Sequence, residues 1–92
     1  MSYKPKNIST AVTTVVRSTP GTLHSIVVNS TSAGAITVYD SASVAAGTVI
    51  ATLKASVAEG TYLYDVDLTN GCVVVTAGAS DITVSTAGQG GF

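Results

Sequence analysis

Apolar positions in this chain fall in short Val/Ile/Thr/Tyr runs, spaced about ten residues apart and each closed by Gly, Asn, Asp or Ser. Helical periodicity is absent, and the β-branched and aromatic content of the runs suits a pleated, half-buried surface. The pattern predicts strands near Ile8–Arg17, Thr22–Ser30, Ala35–Asp40, Thr48–Ala55, Thr61–Thr69, Cys72–Ala77 and Ile82–Thr86. Short strands at this spacing read as an all-β fold: a single small antiparallel β-sandwich or a jelly-roll-like barrel of about seven strands.

Turn chemistry then predicts a register. Asn70-Gly71 is the strongest two-residue hairpin signal, because a type I′ turn needs positive φ at both central residues. Counting outward from it pairs Leu68 with Val73, Val66 with Val75 and Tyr64 with Ala77, and puts Asp67 and Val74 on the opposite, outward face. Gly78–Asp81 as a loop adds Ile82 and Val84 to the same apolar face and makes a three-stranded meander. The expected core is therefore Tyr62, Tyr64, Val66, Leu68, Val73, Val75, Ile82 and Val84. Ser32-Ala33-Gly34 fits a three-residue hairpin loop with Gly34 in the left-handed position, pairing Val28 with Val38.

Two runs, Ile26-Val27-Val28 and Cys72-Val73-Val74-Val75, are apolar on both faces. A strand of that kind is expected where the sheet is dry on both sides. In a chain of 92 residues the second dry side is most simply another subunit, with Val27 and Val74 as its contact residues. Composition points the same way, since only 10% of residues are charged against about 25% in average soluble chains. Val, Thr, Ala and Ser supply 51 of the 92 positions, so the surface is made of hydroxyls and small apolar groups or is covered.

The charge is unevenly placed. Lys4, Lys6 and Arg17 precede a body that holds Lys54 and all five carboxylates, for a net charge of −1. This divides the chain into an extended N-terminal arm (1–7), a β-sandwich domain (8–87) and a flexible C-terminal tail (88–92) ending in Phe92. The N-terminal cations Lys4, Lys6 and Arg17 can meet an acidic neighbour, and Phe92 supplies an apolar anchor. Four Lys and Arg against five acids leave no footprint for phosphates, so nucleic acid is not an expected partner. No apolar stretch is long enough for a membrane-spanning helix, and no secretory signal precedes Arg17, so synthesis in the cytosol and no membrane partner are expected.

Residues that carry chemistry are few. His24 is the sole imidazole, on a strand beside Leu23 and Ser25, and reads as structural. Asp65 and Asp67 share a strand face without the further oxygens a hard cation needs. Cys72 has no partner cysteine, and one Cys and one His cannot make a zinc site. No catalytic, cofactor-binding or metal residues are assigned, and no enzyme is expected. Of the aromatics that could hold a sugar, Tyr62 and Tyr64 face the expected core and Tyr39 alone is left over.

The segments Gly21–Asn29, Ile36–Asp40, Gly47–Ala51 and Asp65–Gly71 together resemble small virion proteins of tailed bacteriophages. The resemblance implies a non-enzymatic structural subunit located in the virion, most simply a capsid-bound decoration or cement protein. A tail, baseplate or fibre component is the second reading, and an adhesin-like glycan-binding module the third. It also implies other virion proteins as partners, the major capsid protein or tail proteins, together with a homo-oligomer.

Overall fold

The structure is a computed structural model that describes residues 3–88. Eight strands are formed: β1 (Lys4–Ile8), β2 (Thr13–Arg17), β3 (Gly21–Ser30), β4 (Ile36–Asp40), β5 (Thr48–Leu53), β6 (Gly60–Leu68), β7 (Cys72–Thr76) and β8 (Asp81–Gly88). They build two four-stranded antiparallel sheets, sheet A in the order β1-β8-β3-β6 and sheet B in the order β2-β7-β4-β5. The links β1 to β2, β3 to β4, β5 to β6 and β7 to β8 each join strands holding the same place in the two sheets. This ordering is the jelly roll, a sandwich of two four-stranded sheets.

The expected hairpins are not made. β3 and β4, β6 and β7, and β7 and β8 lie in opposite sheets, so both the meander and the Val28–Val38 pairing are replaced by crossings between sheets. Asn70 and Gly71 both lack the positive φ that a type I′ turn requires. Their amides, with that of Thr69, instead donate to the Asp40 carboxylate from 3.0 Å (Thr69), 2.7 Å (Asn70) and 3.3 Å (Gly71). A carboxylate at the end of β4 thus holds the chain as it passes from sheet A to sheet B. Gly71 is needed for space, since a Cβ there would stand 2.6 Å from the carbonyl oxygens of both Arg17 and Ser41.

Gly34 likewise keeps negative φ. An added Cβ would meet the Gly78 amide nitrogen at 2.1 Å, so the β3–β4 and β7–β8 crossings touch backbone to backbone at these two glycines. Ser32 and Ser80 hydroxyls bond at 2.9 Å beside this contact. The expected strand Ile8–Arg17 is two strands in different sheets, β1 and β2, and the segment read as an arm runs along β8 from Lys4 to Ile8.

The core lies between the sheets. Sheet A contributes Ile8, Leu23, Ile26, Val28, Leu68, Ile82 and Val84; sheet B contributes Ile36, Val38, Ala51, Leu53, Cys72 and Val74. Tyr62, Tyr64 and Val66 pack against it from the edge strand β6. Of the expected core, β6 and β8 face as anticipated while β7 is reversed: Val74 is inside, and Val73 and Val75 point outward. Without the hairpin nothing ties β7 to the register of β6, and a slip of one residue exchanges the faces of a strand.

Candidate interaction surface

Pairing across sheet B fixes two rows on its outer face. The first runs Val15–Val73–Tyr39–Val49 and the second Thr13–Val75–Thr37–Thr52, each crossing all four strands. No carboxylate, ammonium or guanidinium occurs in either row. Val15 is 44% exposed and Val49 51%, while Val73 between them is fully covered by its neighbours. Val12, before β2, and Val44, in the loop after β4, are exposed as well, so most of the exposed large apolar side chains belong to sheet B or its loops. Val44 is presented by a turn in which the Ser41 hydroxyl accepts the amides of Ser43 (3.3 Å) and Val44 (3.2 Å).

The outer face of sheet A differs in chemistry. It carries Asn7, Thr22, His24, Ser25, Thr61, Asp65, Asp67, Thr83 and Ser85, with Val27 and Leu63 among them. At its centre both β3 and β6 are irregular. The register shifts between Leu23 and Ser25, and Asp65 takes a φ of 49° that side chains other than glycine rarely adopt. His24 Nδ1 lies 2.6 Å from Asp65 Oδ1, and the Tyr3 ring stacks on the imidazole at 3.9 Å. His24 therefore clips the segment entering β1 and the edge strand β6 onto β3. The His24–Asp65 contact is a hydrogen bond, and it is an ion pair only with the imidazole protonated.

The contact residues expected from sequence are placed as follows. Lys4 and Lys6 are exposed on the edge strand β1. Arg17 is engaged within the chain: its guanidinium donates to the Thr19 carbonyl, to the hydroxyls of Thr19 and Thr86, and to the Pro20 carbonyl. Val27 is half-buried on the outer face of sheet A. Val74 is a correction, because it is fully buried between the sheets and cannot touch a partner; its neighbours Val73 and Val75 hold the outward positions. Phe92 lies outside the described residues. Val15, Tyr39 and Val49 were missed, although Tyr39 stood out as the tyrosine without a place in the expected core.

One further group bears on reactivity. Cys72 is buried, and burial pushes its thiol up to about 11, with Arg17 opposing and Asp40 adding to the rise. A thiol so protonated and enclosed is no nucleophile at neutral pH. No group of three or more His, Cys, Asp or Glu among the described residues could hold a metal ion.

The fold and this face define a jelly-roll domain with one uncharged, partly apolar sheet surface. No protein-family model matches the chain, and no curated protein matches it. A solved Drosophila structure, the core of NLP, described for its pentamer formation and histone binding, is similar: TM-score 0.55, 16% identity, 94% of this chain and 96% of that one. The likeness is one of fold. It overturns the expectation of a bacteriophage virion component, since a solved structure sharing nearly the whole sandwich is described for histone binding and not as a virion protein. Two of the segments that carried the virion resemblance, Gly21–Asn29 and Ile36–Asp40, lie within strands β3 and β4.

Proposed function

We propose that the chain is a non-catalytic assembly subunit that associates with further copies of itself through the outer face of sheet B. The observation that carries this reading is the pair of uncharged rows crossing all four strands of one sheet. Burying them desolvates no ion, and like packing on like brings no equal charges together. A flat β face covered by a second β face is ordinary sandwich packing, with the sheets about 10 Å apart. Support for self-association as such, though not for this face, comes from the similar Drosophila core, which is described for pentamer formation.

Histone binding does not transfer with it. A strongly basic partner calls for grouped free carboxylates, and this chain has five in all. Asp40 and Asp81 serve intrachain hydrogen bonds, Asp65 is paired with His24, and Glu59 accepts the Thr31 amide.

Sedimentation velocity on the full chain tests the proposal. The expected result is a mass above that of the 9.1 kDa chain, lowered by Val15→Asp/Val49→Asp without loss of the β circular-dichroism signal. A double variant of unchanged mass would sink the assignment of this face.

A further inference from the structure

We infer that copies also meet head to tail, the β1/β2 flank of one against the β5/β6 flank of the next, with Lys4 and Lys6 seated on the Tyr62–Tyr64–Val66 strip. The inference extends the proposed self-association by a second, directional contact. Its basis is the core-facing register of sheet A, which runs Lys6–Val84–Ile26–Tyr62 and Lys4–Thr86–Leu23–Val66. Each row begins with an exposed cation at one edge of the sheet and ends, on the same side, with a partly buried aromatic or aliphatic residue at the other. Repeating the row brings Lys6 of one copy beside Tyr62 of its neighbour, and Lys4 beside Val66.

Four observations support the match. Strand direction fits, because β1 is antiparallel to β8, β8 to β3 and β3 to β6, so β1 of a copy placed alongside runs antiparallel to β6. Chemistry fits, because an ammonium over a tyrosine ring is attracted by the ring quadrupole while its methylene stem covers apolar surface. Charge fits, because β6, the strand the lysines approach, carries the exposed carboxylate of Asp67. Like flanks repel: two β1 edges would oppose four lysines, and two β6 edges would oppose their aspartates. Pro5 lacks an amide hydrogen and Asp65 bulges, so neither edge continues a regular backbone ladder and the contact rests on side chains. An unlike pair of surfaces makes a heterologous contact, which repeats around a ring or along a file of subunits.

The test uses two variants confined to exposed positions, Lys4→Glu/Lys6→Glu on one flank and Leu63→Lys/Asp67→Lys on the other. Each alone should lose the head-to-tail contact by tenfold or more and stop at the face-to-face dimer in sedimentation. An equimolar mixture should recover the larger assembly, since glutamates then meet lysines at one junction and native flanks meet at the next. Zero-length carboxylate–amine cross-linking of mixed light and heavy wild-type chains should join Lys4 or Lys6 of one copy to Asp67 of another. Either variant keeping the full wild-type mass, or a mixture that gains nothing over its components, overturns the flank contact. Those results leave the sheet B face standing, whereas an unchanged mass in Val15→Asp/Val49→Asp overturns the face and not the flank.

Discussion

Asp40 shows how one side chain sets the course of the chain. Burial raises its pKa, and the amides of Asn70, Thr69 and Gly71 outweigh that rise, so the carboxyl titrates below its ordinary value of 3.8. A depressed carboxyl contributes stability that is fully present above the unfolded pKa and is lost as pH falls through the folded one. Thermal melts should therefore show wild type losing this contribution below about pH 4, while Asp40→Asn lacks it throughout. At neutral pH the substitution should cost about 1 kcal/mol, the scale of a partly solvated hydrogen-bonded group. Cys72 gives a second expectation at this scale. Its buried thiol, pushed up to about 11, should resist alkylation in the folded chain at pH 8 and react at the rate of a free thiol in denaturant. Equal rates in the two conditions would place Cys72 outside the core.

At the scale of strands, β3 to β8 were legible because β-branched runs and their turn residues are local signals, while β1 and β2 were read as an arm and one merged strand. Partnership was not legible, because Asn70-Gly71 and Gly34 advertise hairpins while their backbones serve close crossings between sheets. The decisive partners, Asp40 for the first and Gly78 for the second, are distant in sequence, and no turn rule reaches them. The facing of β7 failed with the hairpin, which moved the outward-facing positions from Val74 to Val73 and Val75. The run Cys72–Val75 nonetheless signalled, by its apolar character on both faces, that β7 carries valines on the outer as well as the inner side of sheet B. The crossings make Gly34→Ala informative: its Cβ would lie 2.1 Å from the Gly78 nitrogen, and the shift required should cost about 1–3 kcal/mol. Were Gly34 in a left-handed hairpin loop instead, Gly34→Asn would be tolerated; urea denaturation of both variants decides, with both expected to lose stability. Leu23→Ala, at a fully buried site joining β8 and β6, should cost about 2–5 kcal/mol.

For the whole molecule, the difference between the two outer faces is the feature with consequences. Sheet A presents hydroxyls, two aspartates and the His24 clip to water, and sheet B presents no charge in either row. A chain with so few charged residues keeps free copies apart weakly, which suits a subunit whose working state is assembled. The isolated sandwich has a Cα radius of gyration of 11.8 Å and measures 35 × 25 × 16 Å, so association is visible in the size of the particle alone. Small-angle scattering of the full chain over a hundredfold range of concentration therefore tests self-association through sheet B most directly. The expected radius of gyration stands well above 11.8 Å at the upper concentrations and falls toward that value on dilution, and the fall is complete at higher concentration in Val15→Asp/Val49→Asp. A radius that stays near 11.8 Å at every concentration, in wild type as in the variant, would contradict the account.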